Sequence, residues 1–222
     1  MDIAGLTELL KSALPYMLKG AGWTLLLALA SIFFGAIVGT AVAITRLARV
    51  PVLASVAALY VSAMRGTPLL VQLFVIYFGL PSIGIQFDPI TAGILGLSLN
   101  VGAYLSETLR GAINGVEHGQ WNAARSLGLT QAQVLRYVVG PQALRLAVPS
   151  LSNSLISLIK DTSLVSVIAV SELMLATREA IATTFQPFPL YLSAAVIYWA
   201  MSASFEGLQK KLETRLNRSY AR

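Results

Sequence analysis

Four charged side chains interrupt stretches that are otherwise apolar, and they are the residues best suited to do chemistry in this chain. They are Arg65, Glu107, Lys160 and Asp161. A charge near the centre of a bilayer costs at least about 2.5 kcal/mol on insertion scales, so such a residue is expected in a bundle interior or a wet cavity. Two interpretations are open: the four charges pair with each other or lie near the headgroups, or some of them line a path for a polar solute.

The composition places the chain in a membrane and excludes most classes of enzyme. Of the 222 residues, 12% are charged and 56% are hydrophobic, and the mean hydropathy is +0.71, whereas soluble domains carry about 25% charged residues. The sequence contains no Cys, which excludes disulfides, iron–sulfur clusters and cysteine nucleophiles. Its one His, His118, lies outside the apolar stretches, and Asp161 is the one Asp within them. The paired or triad residues of an intramembrane protease are therefore missing.

Long intervals without charge divide the chain into five candidate membrane spans. A helix needs about 20 apolar residues to cross the hydrocarbon core, and we place the spans near residues 20–45, 52–80, 89–109, 146–170 and 187–206. The first is too long for the apolar region of a cleaved signal peptide. The second contains Arg65-Gly66-Thr67-Pro68, where proline disrupts a helix, so it forms either one kinked crossing or two short ones.

The distribution of cations decides between these two topologies. Two crossings would place the Arg-rich loop after Glu117 outside, against the positive-inside rule. We therefore predict five spans with the N-terminus outside and the C-terminus in the cytoplasm, so that the net charge of +6 reports orientation. The cytoplasmic cations are then Arg46, Arg49, Arg110, Arg125, Arg136, Arg145, Lys210, Lys211, Arg215, Arg218 and Arg222.

The segment at 118–145 is a predicted cytoplasmic loop that contains two short helices. The first, over 119–128, carries Trp121, Ala124 and either Leu127 or Gly128 on one face, and Gly128 suits a left-handed C-terminal turn. Thr130-Gln131-Ala132-Gln133 has the form of a capping box, and Gly140-Pro141 is expected to end the second helix. Such a pair cannot bury its apolar surface alone, so we expect it to dock onto a partner.

This loop and five further motifs carry a resemblance to a known family. Gln120-Trp121-Asn122-Ala123-Ala124, Gly128 and Pro141-Gln142-Ala143-Leu144-Arg145 resemble the EAA loop of ATP-binding-cassette (ABC) importer permeases, with Asn122 where the family usually has Glu. The chain is also similar to the polar amino-acid permeases of the His/Gln/Arg/cystine group in Arg65-Gly66-Thr67-Pro68-Leu69, Leu97-Ser98-Leu99-Asn100, Gly102-Ala103-Tyr104, Glu107-Thr108-Leu109-Arg110 and Lys160-Asp161-Thr162-Ser163-Leu164. The segments most similar to a bacterial L-cystine permease are Gly79-Leu80-Pro81, Phe87-Asp88-Pro89 and Ser152-Asn153-Ser154.

The resemblance implies a fold, a location and a set of partners. The fold would be all-α, a polytopic type I ABC importer permease with about five transmembrane helices, in the bacterial inner membrane with its N-terminus periplasmic. Two copies of an ATPase subunit would drive alternating access, a second permease copy or a homologous permease would complete the pathway, and a periplasmic or lipoprotein amino-acid-binding protein would deliver the solute. The residues that would couple to the ATPase are Gln120, Asn122, Ala123, Ala124 and Gly128.

The chain itself is expected to hold no cofactor and to catalyse no reaction. It lacks the G-x-x-x-x-G-K-[ST] phosphate loop, so ATP and Mg²⁺ would be bound by the separate ATPase. The expected cargo is a polar amino acid, L-cystine first, with glutamine or a basic amino acid as the alternative, and no nucleic-acid partner is expected. A self-contained channel or secondary transporter would use the same charges but would leave the two-helix loop without a partner.

Six polar residues are the candidates for the substrate path. An α-amino acid presents an ammonium group, which suits carboxylates, and a carboxylate, which suits amide and hydroxyl donors. On this basis and on the resemblance, the candidates are Asn100, Asp161, Ser163 and Glu172, followed by Glu107 and Arg65. Other roles remain open: Asp161 in an ion pair or a helix cap beside Lys160, and Asn100 in a hydrogen bond between helices.

Overall fold

The computed structural model describes residues 3–48 and 50–218, which form helices and short connections. Asp2, Arg49 and Arg222 lie outside these residues, as does the side chain of Arg218. The α-helices are α1 (Ile3–Leu47), α2 (Pro51–Gly66), α3 (Leu69–Phe74), α4 (Pro89–Asn114), α5 (His118–Ser126), α6 (Gln131–Gln133), α7 (Gly140–Asp161), α8 (Leu173–Thr184) and α9 (Pro187–Arg218). Wider π turns follow α3 at Val75–Gly79 and α6 at Val134–Val139, and 3-10 turns follow at Leu80–Ile83 and Thr162–Ile168.

Helices α1 and α4 pack closely and run parallel. A Cβ atom at Gly35 would lie 2.4 Å from Val101 Cγ1, and one at Gly39 would lie 2.8 Å from the Gly102 oxygen and 2.9 Å from Leu105 Cβ. Because the contacts advance along both helices together, their C-terminal ends lie on the same side of the molecule. The small residues of Gly35-x-x-x-Gly39 thus permit a close helix contact within one chain.

This parallel arrangement constrains the chain between α1 and α4, which must return to the side where α1 begins. The return consists of α2 and the segment Leu69–Ile83, which meet at a bend of 109°. Proline at position 68 lacks the N–H that would continue the helix, and the break is sharper than the predicted kink. Within the described residues α1, α4 and α9 are each long and apolar enough to span a membrane, and the two bent pairs raise this number to five.

The second bent pair comprises residues 131–168 followed by α8, with a bend of 52°. Helix α7 runs antiparallel to α4, since Gly93 of α4 approaches Val165 and Gly115 approaches Leu146. The chain turns at Ala169, which has a φ of 62°, and α8 then packs on the first half of α1. Helix α9 closes this end of the bundle. Its buried Leu190 and Ala194 pack in one cluster with Leu9, Ala13, Met17, Ala21, Leu173 and Ala180.

The prediction that Gly140-Pro141 ends a helix is wrong, because the backbone remains helical from α6 through the π turn into α7. In an α-helix the ring of Pro141 would clash with the carbonyl four residues earlier, and the wider π turn just before it accommodates the ring. The N–H of Gly140 donates to the Leu135 oxygen five residues back, and a Cβ at position 140 would lie 2.5 Å from that oxygen. The π turn therefore leaves room only for glycine at position 140.

The α1–α4 contact yields a prediction for two glycines in the same helix. Gly39→Ala should lower the thermal stability of the purified protein, because overpacking a tight contact costs about 1–3 kcal/mol. Gly22→Ala is the matched control, since nothing lies within 4 Å of its added Cβ and alanine is favoured over glycine in a helix by about 1 kcal/mol. Equal unfolding temperatures for the two variants would contradict the packing described above.

Candidate functional site

A polar cavity of about 450 Å³ lies where the break between α2 and α3 faces α4 and the end of α7. Asn100 and Asp161, two of the six predicted residues, both line it. The other polar lining residues are Thr67, Tyr104, Asn153, Ser154 and Ser157, and apolar walls come from Leu69, Val101, Leu158 and Leu164. A carboxylate, amides and hydroxyls thus share one chamber with apolar side chains, which is the usual composition of a small-molecule site.

The side chain of Gln72 forms hydrogen bonds across the helix break beside this cavity. Gln72 was not among the residues predicted from the sequence. Its Nε2 atom donates to the Met64 oxygen at 2.9 Å, to the Thr67 oxygen at 3.1 Å and to Thr67 Oγ1 at 2.9 Å. Two of these partners are backbone carbonyls that receive no i→i−4 hydrogen bond because the helix is broken at Pro68. The sequence signal was available, because a glutamine four residues after a mid-span proline is placed to bond freed carbonyls.

The same network determines which atom of Asn100 is available to a ligand. Backbone carbonyls only accept, so Nε2 of Gln72 must face Met64 and Thr67, and its Oε1 atom must face Asn100. Asn100 Nδ2 accordingly donates to Gln72 Oε1 at 3.0 Å and to the Met64 oxygen at 3.2 Å. Both amide hydrogens of Asn100 are then used. Its carbonyl oxygen Oδ1 is left to act as an acceptor.

Asp161 is half-buried at the C-terminal end of α7. The ion pairs found in residues 3–48 and 50–218 all involve Glu107, so the alternative of a pair between Asp161 and the exposed Lys160 is not observed there. The Asp161 side chain also makes no cap hydrogen bond to the 3-10 turn that follows it. Its carboxylate is a second acceptor on the cavity wall.

Glu172 does not reach this cavity, although it was predicted to line the path. Its side chain is fully buried and caps the N-terminus of α8, accepting from the amides of Met174 and Leu175 at 2.9 Å each. It also accepts from the Tyr198 hydroxyl at 2.7 Å and from Thr24 Oγ1 at 3.3 Å. Glu172 therefore joins α8 to α1 and α9.

Glu107, Arg65 and Ser163 also lie outside the cavity lining. Glu107 accepts from Arg46 and, at 2.7 Å, from Arg110, and it lies 4.0 Å from Arg65. The interpretation that intramembrane charges pair with each other thus applies to Arg65 and Glu107, with two further arginines added. The guanidinium of Arg65 stacks 5.3 Å from the centre of the Tyr104 ring, so Arg65 approaches the cavity through that lining residue. The backbone oxygen of Ser163 accepts a hydrogen bond from the Ser166 hydroxyl.

The two-helix loop has the local structure predicted for it up to residue 133. Gly128 is left-handed with a φ of 77°, and Thr130 and Gln133 form the capping box. Trp121 and Ala124 face inward, packing with Val134, Val139 and Ala143, among others. Leu127 does not share this face, because it is 81% exposed.

The outward face of α5 is polar and small. Asn122 and Ala123 are exposed, as is Gln120, which is hydrogen-bonded to Gln142 at 3.1 Å. Ala124, predicted to contact a partner, is 3% exposed and packs against the body of the protein. Of the proposed coupling residues, Gln120, Asn122 and Ala123 thus form an exposed surface, while Ala124 and Gly128 support it. In the described part of the chain, no three His, Asp or Glu side chains are grouped as metal ligands would be.

The comparisons with known proteins all indicate the same family. Residues 31–218 match the model of the family described as binding-protein-dependent transport system inner membrane component. The probable amino-acid ABC transporter permease protein YckA of Bacillus subtilis is 42% identical, over 94% of this chain and 92% of its own. The L-cystine transport system permease protein TcyB of the same organism is also 42% identical, over 94% of this chain and 89% of its own.

A solved structure agrees with this assignment. The crystal structure of an amino acid ABC transporter with histidines superposes with a TM-score of 0.90 at 34% sequence identity, covering 97% of this chain and 99% of that chain. The fold is therefore that of a type I ABC importer permease. The chain belongs to the family of binding-protein-dependent transport system inner membrane components, and it is a multi-pass inner-membrane permease subunit of an amino-acid ABC transporter, with no catalytic activity of its own.

Proposed function

We propose that the cavity beside the α2–α3 break holds the transported amino acid, with Asn100 and Asp161 receiving its ammonium group. The observation that carries this proposal is the orientation of the Asn100 amide, whose two hydrogens are used by Met64 and Gln72. Asn100 Oδ1 and the Asp161 carboxylate are both acceptors on the wall of one cavity. An ammonium group, with three donors and a positive charge, is complementary to this pair.

The same cavity holds groups suited to the other end of an amino acid. Tyr104 and Ser157 bring hydroxyl groups to its wall, and hydroxyls can donate to a carboxylate. Hydrogen bonds to charged groups are stronger than neutral ones, and the apolar walls strengthen them further by lowering the local dielectric. A zwitterion thus finds acceptors and donors within one chamber of about 450 Å³.

L-cystine is the substrate we favour. The cystine permease relative is 42% identical to this chain over nearly its whole length, and cystine carries two ammonium groups related by two-fold symmetry. Two copies of this chain would offer one acceptor pair to each of them. Glutamine or a basic amino acid is the alternative, since each has the same backbone ammonium group and differs in its side chain.

The transport cycle that fits this chain is alternating access driven by a separate ATPase. The N-terminus would be periplasmic, the C-terminus and residues 118–145 cytoplasmic, and the spans would lie near the five predicted segments. The exposed face of α5, with Gln120, Asn122 and Ala123, would dock on one of two ATPase copies, and a binding protein would deliver the amino acid outside. Because a ligand shifts an equilibrium only by its differential affinity, ATP and the loaded binding protein must favour different conformations.

Uptake into proteoliposomes tests both the class and the substrate. The complex of permease, ATPase and binding protein should accumulate labelled cystine only with ATP, and unlabelled cystine should compete better than glutamine, arginine or histidine. Stronger competition by one of these three would replace cystine as the substrate. ATP-independent uptake by the permease alone would instead identify a self-contained channel or secondary transporter.

Two matched amide substitutions separate the cavity from the buried cap. Asp161→Asn should raise the KM for uptake by at least about tenfold, since a hydrogen bond to a charged group contributes about 1.5–3 kcal/mol. Glu172→Gln removes the same charge outside the cavity, so the KM should change by less than about twofold. The free energy of unfolding should instead fall by about 1–3 kcal/mol, because the buried partners of Glu172 lose hydrogen bonds. The reverse pattern of KM changes would place the substrate at Glu172.

A substitution at Gly128 tests the coupling loop. Gly128→Val should abolish transport-coupled ATP hydrolysis and leave membrane insertion intact, because a β-branched residue does not tolerate a φ of 77°. Gly111→Val is the control, since Gly111 lies within α4 and nothing is within 4 Å of its added Cβ. Unchanged coupled hydrolysis in the Gly128 variant would remove the docking assignment.

A further inference from the structure

We propose that a second cavity, which lies between α5 and the ends of α1 and α4, binds the phosphate group of an anionic phospholipid. This cavity beneath α5 has a volume of about 910 Å³ and is separate from the polar cavity beside the α2–α3 break. Its walls include the side chains of Arg46, Arg110, Trp121, Arg125 and Gln131. They come from the two parallel spanning helices and from the two-helix loop.

The cavity carries an excess of positive charge. Three arginines line it, and none of its described lining residues is acidic. Glu107 accepts from both Arg46 and Arg110 and also lies 4.0 Å from Arg65, so its one negative charge is shared among several guanidinium groups. An arginine has five N–H donors, and these contacts leave some of them unused. A partly enclosed space with one sign of charge concentrates anions.

Among the described residues, no carboxylate forms an ion pair with Arg125. Its guanidinium stacks 5.6 Å from the centre of the Trp121 ring and donates to Gln131 Oε1 at 3.3 Å. Both partners are neutral, so the charge of Arg125 is oriented but not compensated by either of them. A planar guanidinium fixed in this way is suited to bind phosphate oxygens.

The position of the cavity favours a lipid over a free anion. Arg46 is in the last turn of α1, and Arg110 lies one turn before the end of α4, which is the depth at which a spanning helix meets the headgroups. The lining also includes Leu47, Ile113 and Leu135, which give the acyl region of a lipid an apolar wall. Basic pockets between transmembrane helices at the cytoplasmic surface suit anionic headgroups.

A bound phosphate would connect the loop to the spanning helices. Arg125 belongs to α5, whereas Arg46 and Arg110 belong to α1 and α4, so one anion bridging them would restrain α5 against the bundle. Asn122 and Ala123 are exposed and do not line the cavity, so a bound lipid leaves them free for a partner. This effect on coupling rests on the proposed docking of α5, but the lipid site itself does not.

Lipid binding is measured directly, without transport. Native mass spectrometry of the intact transporter in detergent is performed with phosphatidylglycerol, phosphatidylcholine or inorganic phosphate. We expect the affinity for phosphatidylglycerol to exceed that for phosphatidylcholine and Arg125→Gln to lower it by at least about fivefold. Arg215→Gln is the control: it removes the same charge from the described C-terminal part of α9, does not line the cavity, and should change the affinity by less than about twofold.

Three results would overturn the proposal. Equal binding of the two lipids would show that the headgroup charge is not recognised. Equal losses in the Arg125 and Arg215 variants would assign the binding to general surface charge. Inorganic phosphate that binds as tightly as the lipid would identify a free-anion site. If the lipid binds as expected while phosphatidylglycerol leaves coupled ATP hydrolysis unchanged, the lipid site stands and only the inferred effect of the lipid on coupling fails.

Discussion

The hydrocarbon core of a membrane supplies no water to bond a free backbone N–H or C=O group, and this permease satisfies that constraint at two breaks in its described helices. At Thr67-Pro68 the side chain of Gln72 takes up the carbonyls of Met64 and Thr67. After Ala169, the Glu172 carboxylate takes up the first amides of α8. The two breaks are thus stable without a continuous helix, and the first of them borders the cavity that Asn100 and Asp161 line.

The glycine contact between α1 and α4 has consequences beyond packing. The contact joins two parallel helices, so the α2–α3 segment must run back across the bundle between them, and the break lies beside α4. The contact also brings the C-terminal ends of α1 and α4 together, where Arg46 and Arg110 share Glu107. Helix α4 contributes lining residues to both cavities, and α1 contributes to the cavity beneath α5.

Residue type alone did not separate the carboxylates of this chain by role. Asp161, Glu172 and Glu107 all stand in or beside apolar segments, yet one lines a cavity, one caps a helix and one bridges arginines. The position of Glu172 immediately before the apolar run of α8 was the signal of a cap. The bridge at Glu107 had a weaker signal in the spacing to Arg110, and its partner Arg46 is 61 residues away in sequence.

The sequence by itself determined the membrane class, the five apolar segments, the left-handed Gly128 and the capping box at Thr130, because each depends on composition or on residues within one turn of each other. Tertiary structure alone decided that Pro141 is accommodated by a π turn and that Ala124 faces inward. It also decided that Gln72 orients Asn100 so that its oxygen is the available atom. These outcomes depend on which neighbours occupy the surrounding space, and helices distant in sequence supply most of those neighbours.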